Sequence, residues 1–165
     1  MADRATAGKR RIDVQDIPRH PAGPELNLLL MHVLLIDHTT YYYTSLAGSS
    51  IPPAVAGKFV QVRNGDALYI VLSPGELAKY HANIVERFCR DMGIQGSYDS
   101  KKEKFTVHDP AWVIIGGGKF AYDTHKKAIK LYDNSMAYGK FDATGMKDML
   151  GALPELSGYT ISIEQ

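Results

Sequence analysis

Residues 59–72 read Phe59-Val60-Gln61-Val62-Arg63-Asn64-Gly65-Asp66-Ala67-Leu68-Tyr69-Ile70-Val71-Leu72, two apolar runs on either side of Asn64-Gly65. Asparagine and glycine both tolerate the positive φ angles that a two-residue hairpin turn requires. The runs are rich in β-branched and aromatic residues, which favour strands. The stretch therefore predicts a β-hairpin, and the other elements can be placed relative to it.

A helix is predicted directly after the hairpin, from Ser73 to Met92. Ser73 would be its N-cap, Pro74 its first residue and Glu76 the third residue after the cap, which is the spacing of a capping box. At about 100° per residue, its apolar face contains Leu77, Ile84, Val85, Phe88 and Met92. His81 points to the same side. The imidazole is therefore either a core residue with satisfied nitrogens or the floor of a polar site.

The remaining predicted elements are strands and one short helix. Strands are predicted at 111–115, 119–122, 128–132 and 159–163, with a sharp bend at Gly116-Gly117-Gly118 between the first two. A helix within 143–153 is stopped by Pro154. Because the order ββ-α-βββ-α-β does not alternate strictly, we expect an α+β fold in which two helices pack on a mixed β-sheet.

One domain with an N-terminal extension is expected from the length of 165 residues. We interpret residues 1–25 as a flexible, disordered tail because they are rich in charge and proline. Residues 26–57 form an extension or linker, in which 26–47 either adds a strand or helix or packs poorly. Residues 58–165 form the domain.

Composition limits the classes of partner. The 19 basic and 18 acidic residues leave a formal charge of +1, so no overall field favours nucleic acid or an acidic membrane. The apolar run at 26–36 is shorter than the ~18 residues of a membrane-spanning helix, and acidic residues ahead of it disfavour a signal peptide. The single cysteine, Cys89, cannot form an internal disulfide, as is usual in a reducing compartment. We expect a cytoplasmic monomer.

Two segments are candidates for holding an anion. Gly116-Gly117-Gly118-Lys119 lacks the Walker and dinucleotide-binding spacings, so its glycines indicate a close backbone approach, from which Lys119 supplies a cation. Asn134-Ser135-Met136-Ala137-Tyr138-Gly139 presents successive N–H groups and a hydroxyl to an anion, or is an ordinary connection. The histidines show no metal-ligand spacing. Neither a metal nor another cofactor is expected.

Three motifs occur in a characteristic order: Lys79-Tyr80-His81-Ala82-Asn83-Ile84, then Gly116-Gly117-Gly118-Lys119, then Ser135-Met136-Ala137-Tyr138-Gly139. In them the chain resembles the phosphohistidine phosphatase family, also called the janus/ocnus family, over roughly residues 58–165. The resemblance implies a metal-free enzyme that removes phosphate from phosphohistidine, or from phospholysine, in proteins. It implies His81 as the proton acceptor. The implied phosphate-binding residues are Ser135, Met136 and Ala137. Tyr80, Ala82 and Lys119 are added as further candidates for phosphate binding.

Two cations of that family are not matched. The family carries a lysine in the first hairpin, where this chain offers Leu68 or Tyr69, and an arginine before the YHA motif, where Ser73 stands. The candidate substitutes are Lys119, Lys79 and Arg63. The alternative to an active phosphatase is therefore a catalytically weak or inactive protein that binds phosphate or phosphoproteins. The family pattern also favours a helix that starts near Tyr80, because only then are its first N–H groups free.

Overall fold

The computed structural model describes residues 31–165. The predicted tail, residues 1–25, and residues 26–30 of the extension lie outside the described residues. In chain order the strands are β1 (His32–Asp37), β2 (Ala54–Asn64), β3 (Ala67–Pro74), β4 (Gly96–Tyr98), β5 (Phe105–Val107), β6 (Trp112–Asp123), β7 (Ala128–Tyr132) and β8 (Thr160–Ile163). The helices are α1 (His81–Met92) and α2 (Met146–Gly151), with a π-helical turn at Tyr41–Leu46 and a 3₁₀ turn at Pro154–Leu156.

A mixed six-stranded sheet, in the order β1-β3-β2-β6-β7-β8, organises the described part of the chain. Its inner strands pair antiparallel, whereas the edge strands β1 and β8 pair parallel to β3 and β7. Strands β4 and β5 form a separate two-stranded sheet. The predicted α+β class, with a mixed sheet and packed helices, is confirmed.

Each face of the sheet has its own apolar core. Neighbouring residues of a strand point to opposite faces, so Phe59 joins one core and Val60 the other. The core around Phe59 and Phe120 is covered by α2 and the C-terminal residues. The core around Val60 is covered by α1, through buried side chains that include Phe88.

The predicted hairpin is confirmed. Strands β2 and β3 pair antiparallel with Val60 opposite Val71, and Gly65 in the turn has a φ of 60°. The extension contributes β1, so that part of residues 26–47 is a strand at the sheet edge. Strand β8 also lies where it was predicted.

The prediction that the helix starts at Ser73 is wrong. Ser73 and Pro74 are still paired in β3, opposite Lys58 and Gly57, and α1 begins only at His81. The N–H of Tyr80 is capped instead by the side-chain oxygen of Asn83, at 3.0 Å. The residues that resemble the start of a capping box are therefore paired in β3 and do not begin a helix.

Other boundaries differ from the prediction as well. Strand β6 runs without interruption through the three glycines, so they are not a bend between two strands; the register against β2 shifts instead at Gln61 and Val62. Met92 is 41% exposed rather than part of the core, and α2 is shorter than 143–153. The small β4–β5 sheet was not predicted. Among residues 31–165 no helix combines the length and apolar character needed to cross a membrane.

Candidate functional site

His81 is the first residue of α1 and is only 8% exposed. Its Nε2 lies 2.8 Å from the backbone oxygen of Gly118 on β6. Because a carbonyl oxygen only accepts hydrogen bonds, Nε2 carries the proton and Nδ1 keeps the basic lone pair of the neutral ring. Within the described residues this is the only hydrogen bond of the ring. The imidazole is thus fixed through one nitrogen and left basic at the other.

The surroundings of His81 favour the neutral ring. Burial lowers the pKa of His81 below the usual 6.5 and is the largest effect; the hydrogen bond to Gly118 raises this pKa. The nearby charges of Lys58 and Lys119 lower it further, and Asp133 raises it. A neutral imidazole at pH 7 is the form that can accept a proton.

Residues 135–139 form a short loop, called the 135–139 loop, whose two end residues are hydrogen-bonded to each other. The N–H of Gly139 donates to the oxygen of Ser135 (2.8 Å), and the N–H of Ser135 donates to the oxygen of Gly139 (3.1 Å). The hydroxyl of the buried Ser135 accepts from the N–H of Tyr138 at 3.1 Å. The N–H groups of Met136 and Ala137 have no acceptor among the described residues. These hydrogen bonds fix the ends of the loop, and the N–H groups of Met136 and Ala137 remain available to an anion.

Gly117 brings His81 and Ser135 together. A Cβ built on Gly117 would lie 2.9 Å from Cδ2 of His81 and 3.3 Å from Cβ of Ser135. The N–H of Gly117 also donates to the oxygen of Gly139 at 3.2 Å. Both side chains therefore flank the same backbone position of β6, and glycine is required there because any side chain would occupy their place.

The start of α1 adds further donors to the same place. A helix leaves its first N–H groups without an acceptor inside the helix and carries partial positive charge there. Since α1 begins at His81, the N–H groups of His81 and Ala82 belong to this set. Such a terminus, together with the 135–139 loop, suits an anion.

Two lysines stand on the same face of the sheet. One row of opposed residues crosses β3, β2, β6 and β7: Ser73, Lys58, Lys119 and Tyr132. Because Lys119 is two residues beyond Gly117, its side chain points to the face that His81 covers. The ammonium group of Lys119 lies 2.9 Å from Oδ2 of Asp133, which raises the pKa of Lys119 and lowers the pKa of Asp133.

Lys58 is a candidate site residue that the sequence did not predict. Leu68 and Tyr69, the hairpin positions where the resemblance places a lysine, pack their side chains in the two cores. Lys58 lies on the other strand of that hairpin, directly opposite Lys119. The sequence signal that could have identified Lys58 is its position directly before Phe59. Neighbouring residues of a strand point to opposite faces, so Lys58 lies on the face away from the core that contains Phe59.

The other predicted site residues occupy different positions. Tyr80 is 56% exposed and Met136 fully exposed, so both lie at the rim, whereas Ala82 is buried and offers only its backbone. Lys79 lies over the ring of Tyr80, 5.2 Å from its centre. Arg63 pairs near the turn end of β2, five residues from Lys58, and does not belong to the group around His81.

Comparison with known proteins identifies the family. A family model described as the Janus/Ocnus family matches residues 58–157. A search of curated proteins finds no match to the chain. Within residues 31–165 no three His, Cys, Asp or Glu side chains are grouped as metal ligands.

Proposed function

Because the chain belongs to the Janus/Ocnus family over residues 58–157, we propose that it hydrolyses phosphohistidine in proteins, with phospholysine as a second substrate. The observation that carries the proposal is His81, bound through Nε2 to Gly118 and free at Nδ1, beside the 135–139 loop. A fixed general base next to unpaired backbone donors is what hydrolysis of a phosphoryl group requires.

In the proposed reaction, Nδ1 of His81 takes a proton from water while the water oxygen forms a bond to phosphorus. The P–N bond breaks, and its electron pair stays on the nitrogen of the departing histidine or lysine. That nitrogen is protonated, by His81 or by solvent, so the products are inorganic phosphate and the free side chain. The step needs no redox partner, and charge stabilisation does most of the work.

The phosphoryl oxygens would be held by backbone N–H groups and by lysines. The unpaired N–H groups of Met136 and Ala137 and those at the start of α1 provide neutral donors. Lys58 and Lys119 add positive charge from the sheet face. Charged and preorganised donors are worth more than neutral ones for a charge that develops in the transition state.

A second candidate function is that of a phosphate-binding or phosphoprotein-binding protein with little or no catalysis. Two observations favour it. Asp133 neutralises Lys119 at 2.9 Å, and the row position beyond Lys58 holds Ser73, whose buried hydroxyl lacks a hydrogen-bond partner in the described structure. In this case the protein would bind the phosphoryl group without releasing it.

The direct test is phosphate release from a histidine-phosphorylated protein, with EDTA present and His81→Ala as the matched blank. We expect the wild type to release inorganic phosphate and the variant to match spontaneous hydrolysis. Equal, slow release from both, together with tight binding of the phosphoprotein, would support the binding protein. Equal release without binding would contradict both functions.

Freeing Lys119 should strengthen anion binding. Asp133→Asn removes the carboxylate that pairs with Lys119, and we expect inorganic phosphate to bind about 3-fold to 10-fold more tightly, because an unpaired exposed ammonium gains a modest interaction with an anion. Isothermal titration measures the change. Asp123→Asn, at the C-terminal end of β6, removes an equal charge without removing the partner of Lys119 and should leave the affinity unaltered. An equal gain in both variants would indicate a long-range charge effect only.

A further inference from the structure

His81 and Ser135 meet at Gly117, although they come from distant segments of the chain. Between α1 and β6 lies the linking hairpin, which we define as β4, β5 and the residues between them, 96–107. Its strands pair only with each other. Building on the proposed function, we infer that this hairpin sets the position of His81 relative to the 135–139 loop, with Tyr98 and Tyr138 as positioning residues.

The hairpin is bonded to the start of α1 through Tyr98. The hydroxyl of Tyr98 donates to Oε2 of Glu86 at 2.6 Å and accepts from Nδ2 of Asn83 at 3.3 Å. The other side-chain atom of the same amide, Oδ1 of Asn83, accepts the N–H of Tyr80. Tyr98 is therefore two hydrogen bonds away from the backbone that precedes His81.

The hairpin is bonded to the 135–139 loop through Tyr138. The hydroxyl of Tyr138 donates to the oxygen of Phe105 at 2.8 Å and accepts the N–H of the same residue at 2.9 Å. The N–H of Tyr138 donates to the hydroxyl of Ser135. One tyrosine thus joins a backbone unit of β5 to the serine of the candidate site.

The two attachments join within the hairpin. Tyr98 and Phe105 are directly opposed in the strand register, and their rings contact edge to face with centres 5.1 Å apart. Phe105 is 8% exposed and belongs to the core beneath α1. A Cβ on Gly96 would strike the ring of Phe105, so the ring lies directly against the backbone of β4.

A continuous chain of contacts therefore runs from Tyr80 through Asn83, Tyr98, Phe105 and Tyr138 to Ser135. Loss of either tyrosine hydroxyl would loosen one end of the path and leave the other attached. Misplacement of about 1 Å at a reacting centre can reduce a rate by about 100-fold. Loss of a hydroxyl group far from the bound phosphate would thus lower the rate of hydrolysis.

The test uses Tyr98→Phe, Tyr138→Phe and the double variant of the full chain. We expect Tyr98→Phe to lower kcat about 10-fold with an almost unchanged KM, because it loosens the His81 end, and Tyr138→Phe to raise KM about 10-fold, because it loosens the loop. The loss of kcat/KM in the double variant should be smaller than the product of the two single losses, because either substitution alone already interrupts the chain of contacts. Tyr122→Phe, which removes a hydroxyl bonded to Asp37 at 3.1 Å, is the matched control.

NMR of the same variants separates this inference from the proposed function. Tyr98→Phe should shift the His81 ring signals and the amides of the 135–139 loop, to which Tyr98 donates no hydrogen bond, more than Tyr122→Phe does. These shifts without phosphate release from the wild type would support the hairpin's role while the proposed function fails. Unmoved loop and ring signals, or equal kinetic effects of all three tyrosine variants, would overturn the inference.

Discussion

Gly117→Ala is expected to destabilise the protein by about 3 kcal/mol and to lower phosphate release at least 100-fold. The added Cβ would lie 2.6 Å from the backbone oxygen of Phe59 and 2.9 Å from Cδ2 of His81. The Phe59 carbonyl is held by the pairing of β2 and β6, so the strand cannot yield easily. Relief must come from moving the imidazole or the Ser135 backbone, and both belong to the candidate site.

Urea unfolding and the phosphate-release assay measure the two effects separately. Gly75→Ala is the matched control, because the nearest atom to its new Cβ is the oxygen of Ala56 at 4.0 Å. We expect Gly75→Ala to have the same free energy of unfolding and the same rate of phosphate release as the wild type. A Gly117→Ala variant that unfolds like the wild type and releases phosphate at the same rate would contradict the placement of His81 against Gly117.

Much of the fold follows from local sequence signals. The turn residue Gly65, which follows Asn64 at the end of β2, and the apolar runs on either side define the β2–β3 hairpin. The last helix ends at Gly151, and Pro154 begins the 3₁₀ turn that follows it. These features depend on φ preferences and on side-chain alternation, which act over a few residues. The Ser135 segment was likewise recognised as a candidate anion loop from its small side chains.

The rest depends on pairing between distant segments. Ser73 and Pro74 have the local chemistry of a helix start, but their pairing with Lys58 and Gly57 in β3 determines the outcome. The same register aligns Lys58 with Lys119, which local spacing cannot show. The linking hairpin was missed because β4 and β5 have three residues each and a polar connection, too short for a periodic signal.

His81→Ala is expected to lower the rate of phosphate release by about 10³-fold, within the range usual for removal of a general base. Burial lowers the pKa of His81 below the usual 6.5, so the midpoint of the wild-type pH–rate profile should lie below pH 6.5, with the rate falling as the pH falls through it. The variant's residual rate should lack this dependence. A wild-type rate that halves near pH 7 would contradict a buried base.

The same pKa shift affects stability with a defined sign. Below pH 6.5 the unfolded chain binds a proton at residue 81 that the folded protein resists, so the free energy of unfolding falls as the pH falls. His81→Ala removes the contribution of residue 81 to this pH dependence. The free energy of unfolding of the variant should therefore decline less than that of the wild type between pH 7.5 and 5.5 in urea titrations. The pKa of His38 is also lowered by burial, so His38→Gln should weaken the acid sensitivity as well while retaining phosphate release. Reduced acid sensitivity in both variants, with activity lost only in His81→Ala, is the result that assigns the proton acceptor to His81.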